Sequence, residues 1–255
     1  MLNILSHGMD KPGTPLVIVH GLFGSARNWG VIAKRLADAR PVLVVDQRNH
    51  GESPWTDSHG YPDMAGDLAE VIEGVGGRAD VLGHSMGGKA AMVLAVTRPE
   101  LVNRLIVADI APVRYGHTQM PYIEAMRSVD LQAVATRSDA DRQLRERVPE
   151  LQIRAFLLQS LDLQQRRWRL NLDLLAEEMG RIMDFPALAG RFDGPALFLS
   201  GGGSDYVTPD ARPAIKALFP KARFVKIPGA GHWLHAEKPR EFEAAARVFL
   251  EAGGA

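Results

Sequence analysis

Short apolar runs of strand length alternate with amphipathic segments along most of this sequence, and this alternation restricts the possible folds more than any other feature. Between the runs, apolar residues recur at helical spacing, as in the segment 64–75. Such alternation predicts an α/β fold with a mostly parallel central sheet flanked by helices. The runs contain only two charged residues, Asp80 and Lys226, as expected for strands covered on both faces, and lie at 16–19, 42–45, 79–82, 105–108, 196–199 and 224–227.

The alternation stops between residues 113 and 186. This stretch is rich in charges and has helical patterns but few strand-like runs. It is too long for an ordinary connection, so it predicts a helical cap insertion in a core formed by residues 1–112 and 187–255. Because the insertion follows the carboxyl end of a core strand, we expect it to lie over the active-site edge of the sheet.

Charge and cysteine content exclude several classes of function. Lys plus Arg and Asp plus Glu each total 30, which disfavours a nucleic-acid binder. The absence of cysteine excludes disulfides, thiolate metal sites and a cysteine nucleophile. No signal peptide is recognisable, and no apolar run reaches the roughly 18 residues of a membrane helix. We therefore expect a cytoplasmic protein with no membrane partner.

The segment GHSMGG carries the chemistry. It reads G-x-S-x-G, with Ser85 between Gly83 and Gly87, and it follows a predicted strand and precedes a predicted helix. This is the pattern of a nucleophile elbow, a tight turn that presents a strained serine at the sheet edge. Side chains at the two glycine positions would collide with the neighbouring strand and helix.

A second interpretation exists for the same letters. Residues 83–89 also read G-x-x-x-x-G-K, most of a phosphate-binding P-loop, which likewise joins a strand to a helix. The next residue is Ala90, where that motif requires Ser or Thr for magnesium. The motif taken alone leaves both interpretations open, and the rest of the chain favours the elbow.

An early glycine loop is the first support. The run 16–19 ends in His20-Gly21-Leu22-Phe23-Gly24. In a hydrolase with an elbow, such a loop supplies one N–H of the oxyanion hole, here predicted to be that of Leu22. The other N–H would come from Met86, the residue after the nucleophile.

A histidine in a glycine loop after the last strand is the second support. His232 follows Gly229-Ala230-Gly231, at the same sheet edge as the elbow. This gives the chain order Ser, acid, His that the fold requires. His235 is a competitor, but it lies farther from the strand end.

Two carboxylates qualify as the catalytic acid. Asp109 directly follows the run 105–108, and Asp205 follows the run 196–199 through a glycine-rich loop. Either could orient His232 and stabilise its imidazolium. An aspartate after a strand more often caps a loop, so strand logic alone does not choose between them.

Five segments together resemble the YbfF-type esterases of the α/β-hydrolase superfamily, and the similarity extends over nearly the whole chain. The resemblance implies an esterase site under a cap, with no cofactor. The eight histidines are scattered without metal-ligand spacing, so we expect no metal. The resemblance assigns Ser85 as nucleophile, His232 as base and Asp109 as acid. Asp205 occupies the more usual acid position of the superfamily, which relatives of this type often leave empty. The segments are HGLFGSARNWG, VDQRNHGESP, GHSMGGKAAM, VADIAPVRY and GAGHWLHAEKP.

The function expected from these features is hydrolysis of small to medium carboxylic esters or thioesters through an acyl-enzyme on Ser85. We expect Phe23, Trp168 and Trp233 to line the substrate pocket. The same triad could instead serve C–C bond hydrolysis, acyl transfer or cofactor-free haloperoxidase chemistry. A ligand-binding module and a P-loop nucleotide binder are the alternatives outside this class.

Overall fold

A computed structural model describes residues 1–252, so the last three residues of the expected core segment 187–255 lie outside the described part. Its centre is a seven-stranded sheet of β1 (Ile4–His7), β2 (Leu16–Val19), β3 (Val42–Val45), β4 (Ala79–His84), β5 (Val102–Ala108), β8 (Ala196–Gly201) and β9 (Ala222–Ile227). The strand order is β1-β3-β2-β4-β5-β8-β9, and all strands but β1 are parallel. A separate hairpin pairs β6 (Leu161–Asp162) with β7 (Arg167–Trp168).

The parallel strands are the six runs identified in the sequence, and the prediction of a mostly parallel sheet flanked by helices is confirmed. Strand β1 was not predicted. It lies at the sheet edge, pairs antiparallel with β3, and has no buried residue. Its apolar signal is therefore too weak to mark a strand.

Helices cover both faces of the sheet. Within residues 1–252 they are α1 (Gly30–Leu36), α2 (Tyr61–Glu73), α3 (Met86–Thr97), α4 (Met120–Arg127), α5 (Arg137–Leu144), α6 (Leu151–Leu157), α7 (Leu172–Glu177), α8 (Met179–Met183), α9 (Arg212–Leu218), α10 (Leu234–Glu237) and α11 (Pro239–Glu251). Helices α2 and α3 pack together on one face, and α1 and α11 pack on the other.

The alternation of side chains along each strand divides the core into two clusters. In β2, Val17 and Val19 face the cluster that contains α2 and α3, whereas Leu16 and Ile18 face the cluster that contains α1 and α11. This is the period-2 geometry of a strand covered on both sides. Helix α3 is buried along nearly its whole length, so the residue that precedes it is held firmly.

Residues 113–186 contribute no strand to the seven-stranded sheet. They form α4 to α8 and the β6–β7 hairpin, between β5 and β8 in the chain. We call this segment the insertion. Its two ends are joined, because the Tyr115 amide donates to the Met183 carbonyl at 2.9 Å. Among the described helices, none has both the length and the apolar character needed to span a bilayer.

Candidate active site

Ser85 occupies the turn between β4 and α3 in a conformation that most residues avoid. Its φ is 52° and its ψ is −122°. Such backbone strain costs about 1–3 kcal/mol and persists only where the surroundings enforce it. Neighbouring glycines make the turn possible: a Cβ at Gly83 would lie 2.3 Å from the Gly87 carbonyl oxygen, and one at Gly87 would lie 2.4 Å from that of His20. The elbow geometry therefore depends on both glycines.

His232 bridges Ser85 and Asp109. Its Nε2 lies 3.1 Å from Ser85 Oγ, and its Nδ1 lies 2.8 Å from Asp109 Oδ2. Both separations are within hydrogen-bonding range. Ser85 lies at the end of β4, Asp109 at the end of β5, and His232 in the loop after β9. Parallel strands thus bring the three side chains to one edge of the sheet.

The two candidate acids are in opposite environments. Asp109 is fully buried, has a φ of 52°, and its amide donates to the Leu199 carbonyl at 2.7 Å. The Gly201 amide donates to its Oδ1 at 3.0 Å, and the Ser204 hydroxyl donates to its Oδ2. Asp205 is exposed and makes no hydrogen bond or ion pair with any residue in 1–252. Only Asp109 contacts His232.

Two backbone amides beside Ser85 are free to donate. Within residues 1–252 the N–H groups of Leu22 and Met86 have no hydrogen-bond acceptor, and both residues line the cavity at Ser85. Phe23, the residue after Leu22, has a φ of 62°, and its amide is already used, donating to His50 Nε2 at 3.3 Å. The pair Leu22 and Met86 therefore has the composition of an oxyanion hole.

Buried neutral histidines hold the glycine loop in place. His20 donates from Nδ1 to the Gly21 carbonyl at 2.8 Å and accepts the Gln47 amide on Nε2 at 3.0 Å. His50 donates from Nδ1 to the Arg48 carbonyl and accepts from Phe23. Burial lowers the pKa of both rings, that of His50 far below its ordinary value. A neutral ring donates once and accepts once, which is what each position uses.

His84, directly before Ser85, contacts the loop that carries His232. Its Nε2 donates to the His232 carbonyl at 2.9 Å, and burial holds its pKa well below the ordinary range. His235 does not reach Ser85: it is buried and stacks on Trp29 with ring centroids 4.1 Å apart. The bond from His84 to the His232 carbonyl was not predicted, because the only sequence signal of His84 is its position inside the elbow.

A cavity of about 200 Å³ opens beside Ser85 and His232. Phe23 and Trp233 both line it, on the side of the core. The opposite wall comes from the insertion and is mostly apolar. Its side chains are Tyr115, Gln119, Tyr122, Ile153, Phe156, Leu157, Ile182 and Met183. A ligand bound next to Ser85 would therefore contact both the sheet edge and the insertion.

Trp168 does not line this cavity, which corrects the expectation from the sequence. It lies on β7, is 6% exposed, and its indole N–H donates to the Met126 carbonyl at 2.9 Å. The side chain is thus used to pack the interior of the insertion. Sequence alone could not separate an aromatic residue inside the insertion from one at its inner surface.

Lys89 is buried in the wall of the cavity, one helical turn after Ser85. Its Nζ donates to the carbonyls of Met183 and Asp184, at 3.2 and 2.6 Å, and lies 4.8 Å from the centre of the Tyr115 ring. Burial lowers its pKa to about 7. The lysine joins helix α3 to the end of the insertion, so it is not placed as the lysine of a P-loop. Within residues 1–252 no group of three or more His, Asp or Glu side chains could hold a metal ion.

Comparison with known proteins identifies the family. The model of the alpha/beta hydrolase family matches residues 16–245, which include β2 to β9 and every residue of the site. The chain belongs to the α/β-hydrolase family. This agrees with the parallel sheet, the elbow at Ser85 and the insertion after β5.

Close relatives of this α/β hydrolase carry esterase and lipase names. It is 44% identical to mouse "sn-1-specific diacylglycerol lipase ABHD11", with 97% of this chain and 84% of that protein covered. It is 39% identical to "Esterase YbfF" of Escherichia coli strain K12, with 93% of each covered. The solved structure "Marine microorganism esterase" superposes with a TM-score of 0.92 at 40% identity, over 97% of this chain and 98% of that one. The predicted similarity to YbfF is confirmed.

Proposed function

We propose that this α/β hydrolase cleaves carboxylic esters or thioesters of small to medium acyl groups through an acyl-enzyme on Ser85. The observation that carries the proposal is the double contact of His232, 3.1 Å from Ser85 Oγ and 2.8 Å from Asp109 Oδ2. That arrangement supplies a nucleophile, a base and an orienting carboxylate in line. The esterase and lipase names of its relatives support the choice of ester bonds.

The reaction takes two displacements. Ser85 Oγ bonds to the carbonyl carbon while its proton passes to His232 Nε2. The bond to the leaving alcohol or thiol then breaks, and the leaving group takes that proton. Water attacks the acyl carbon, its proton passes to His232 Nε2, and the acid departs as Ser85 Oγ recovers a proton. Asp109 holds Nδ1–H and stabilises the imidazolium, and it keeps the ring in the tautomer that can accept at Nε2.

Each tetrahedral intermediate places a negative charge on the former carbonyl oxygen. The Leu22 and Met86 amides, free to donate and beside Ser85, are proposed to bind this oxygen. Loss of one such donor typically costs on the order of 10²-fold or more in turnover. The start of helix α3 adds a favourable field at the same point.

The insertion is proposed to act as a cap, with residues 113–186 as a unit over a core of residues 1–112 and 187–252. It supplies the apolar wall opposite Ser85, for example Ile153 and Phe156 on α6. Such a wall accepts an acyl chain by apolar contact. The proposed chemistry uses protein groups and water alone, so activity is expected to survive chelating agents.

The test is hydrolysis of p-nitrophenyl acetate, butyrate and octanoate by wild-type protein and by Ser85→Ala. Loss of the nucleophile should lower kcat by several orders of magnitude with the fold intact by circular dichroism. A fluorophosphonate should add one adduct to the wild type, at Ser85, and none to the variant.

Ser138→Ala is the matched control, because Ser138 lies exposed on α5 and its hydroxyl makes no hydrogen bond to residues 1–252. It should keep wild-type turnover. Turnover in Ser85→Ala equal to that of this control would overturn the proposal. Binding of esters without turnover in the wild type would instead identify a binding module. Magnesium-dependent ATP binding would favour the P-loop interpretation of residues 83–89.

A further inference from the structure

The β3 loop, residues 46–60 between β3 and α2, is bonded both to the insertion and to the glycine loop. On the side of the insertion, the Gly51 amide donates to the Arg169 carbonyl at 2.8 Å, and the Asn171 amide donates to the Asn49 carbonyl at 3.0 Å. The Asn171 side chain adds a bond from its Nδ2 to Asn49 Oδ1 at 3.2 Å. A short stretch of the insertion therefore pairs with the β3 loop through backbone and side chain.

On the side of the glycine loop, the β3 loop fixes the backbone before and after Leu22. His50 Nε2 accepts from the Phe23 amide, in the peptide group after Leu22, at 3.3 Å. The Gln47 amide donates to His20 Nε2 at 3.0 Å. Nδ1 of the same His20 ring donates, at 2.8 Å, to the carbonyl of the peptide group that contains the Leu22 N–H. The N–H proposed to bind the oxyanion is thus held from both sides.

A second histidine of the β3 loop reaches the other half of the proposed oxyanion hole. The ring of His59 stacks with that of His50, with centroids 5.4 Å apart. The Thr56 amide donates to Asn49 Oδ1, so Asn49 Nδ2 is the atom that donates to His59 Nδ1, at 3.3 Å. His59 Nε2 then carries the proton and donates to Met86 Sδ at 3.4 Å. The amide of Asn49, which accepts from the insertion, therefore also orients the ring beside Met86.

These contacts are rigid because they are buried and strained. Asn49 and His50 are 0% exposed and His59 is 1% exposed, so breaking one of their bonds leaves an unpaired polar group without water, at a cost of about 1–3 kcal/mol. Phe23 and Asn49 have φ values of 62° and 66°, which persist only where the surroundings enforce them. Oxyanion donors need such support, since a misplacement of about 1 Å can cost on the order of 10²-fold in rate.

We propose that His50 and Asn171 are positioning residues for the oxyanion hole, and that the insertion residues 169–171 thereby support the reaction on every ester. The inference rests on the proposed function, since the hole is part of it. Neither side chain lines the cavity, so both act through Leu22 and Met86 rather than on the substrate. This role differs from that of the apolar wall, which contacts the acyl chain.

The experiment compares His50→Leu, His50→Gln, Asn171→Asp and the control Gln165→Ala in the full-length protein. Rates on p-nitrophenyl acetate and octanoate are expressed per active site, counted by fluorophosphonate titration, so that misfolded protein does not contribute. The second readout is the Ki of an aryl trifluoromethyl ketone. Ser85 Oγ bonds to its carbonyl carbon, the proton passes to His232, and the carbonyl oxygen becomes an oxyanion in the hole.

His50→Leu removes the acceptor of the Phe23 amide. We expect kcat to fall by about 10- to 100-fold on both esters, with KM little changed, and the Ki of the ketone to rise by the same factor. His50→Gln keeps an acceptor near the position of Nε2 and should recover most of the rate. Wild-type kcat in His50→Leu, a fall in kcat without a rise in Ki, or equal rates in the two variants would overturn the role of His50.

Asn171→Asp tests the insertion and does not depend on the folding of His50→Leu. It keeps the oxygen that accepts from the Leu174 amide at the start of α7, but it replaces the donor to Asn49 with a second oxygen. We expect kcat to fall about three- to tenfold, equally on acetate and octanoate, with a matching rise in Ki.

Gln165→Ala is the matched control within the insertion. Gln165 is exposed between β6 and β7, its side chain makes no hydrogen bond to residues 1–252, and the variant should behave as wild type. Unchanged turnover of acetate in Asn171→Asp, or a loss confined to octanoate, would overturn the role of the insertion. Failure of the proposed function would be seen separately, as turnover retained in Ser85→Ala.

Discussion

The two walls of the cavity are built from different chemistry. The wall at the sheet edge is polar: Ser85, Asp109 and His232 are joined by hydrogen bonds, and His84 donates to the carbonyl of His232. The wall from the insertion is largely apolar, with α6 side chains such as Phe156 facing the cavity. In the described structure no side chain of α6 hydrogen-bonds to the three residues at the edge.

This contrast indicates a division of labour. Groups at the edge must be held within a few tenths of an ångström for proton transfer, and the strand ends supply that rigidity through the hydrogen bonds that join Ser85, His232 and Asp109. Under the proposed function the insertion contacts the acyl chain, for which apolar side chains are enough. We therefore expect changes at the edge to reduce turnover on every ester, and changes in the insertion wall to alter which ester is preferred.

The largest effect should come from the acid at the edge. Asp109→Asn replaces the carboxylate that fixes the tautomer of His232, and turnover should fall by about 10⁴-fold, the size of the corresponding change in a serine protease. Asp205→Asn should be nearly silent, because Asp205 is exposed and unbonded within residues 1–252. Steady-state kinetics on p-nitrophenyl butyrate measure both. The reverse ranking would move the acid to the end of β8.

A smaller effect, on stability rather than chemistry, should come from the interior of the insertion. Trp168→Ala removes a buried indole and its bond to the Met126 carbonyl, and should cost about 3–5 kcal/mol of unfolding free energy. Urea denaturation measures it, with Trp55→Ala as control, because Trp55 is 51% exposed. At temperatures where the variant is folded, rates on short and long esters should fall equally. A selective loss on long esters would place Trp168 at the acyl chain.

Buried histidines near the edge should make stability depend on pH. Burial lowers the pKa of His59 and His235 to about 3, and it also lowers those of His20, His50 and His84. Between pH 6.5 and the folded values, the unfolded chain binds more protons than the native one. Stability is therefore lost as pH falls below about 6.5, by up to about 1.4 kcal/mol per pH unit for each histidine.

Urea denaturation at pH 7, 6 and 5 tests this expectation. His235→Phe keeps an aromatic ring against Trp29 but removes one group that titrates only after unfolding. Its stability should fall less steeply with decreasing pH than that of the wild type. Equal slopes for the two proteins would contradict the assignment of His235 as neutral in the folded state.

The smallest effect should be on the insertion wall. Phe156→Ala removes an apolar contact from the cavity, so kcat/KM on p-nitrophenyl octanoate should fall about tenfold, while the acetate changes less than about twofold. Leu151→Ala is the matched control, since Leu151 is on the same helix but 67% exposed. Equal losses on both esters would mean that the insertion also supports the chemistry.

Much of the fold could be predicted because its signals are local. Most of the parallel strands, such as β2 and β3, are buried on both faces and so appear as unbroken apolar runs, and the elbow needs glycines at fixed positions around Ser85. Strand β1 was missed because it is an exposed edge strand whose pairing with β3 is not encoded in its own letters. The β6–β7 hairpin, two residues per strand, is too short to give a pattern.

Sequence reasoning was less able to describe the surroundings of the site. From strand positions it left Asp109 and Asp205 open, because both follow strands at the same edge and only packing distinguishes a buried carboxylate from an exposed one, and it favoured Asp109 on the resemblance to YbfF-type esterases. It placed Trp168 in the pocket, and it did not foresee the stack of Tyr206 on His232. These contacts join residues that are far apart in the chain, so no local sequence pattern predicts them.

The bond between the two ends of the insertion has a consequence for how this protein can diversify. A backbone hydrogen bond joins Tyr115 to Met183, and Lys89 on α3 donates to the carbonyls of Met183 and Asp184. The chain between Tyr115 and Met183 is thus a closed loop, and its two ends are held by bonds that do not involve the residues in between. Lengthening such a loop adds little closure entropy, roughly 0.6 kcal/mol per doubling. The residues between Tyr115 and Met183 can therefore be lengthened or replaced while Ser85, Asp109 and His232 keep their positions.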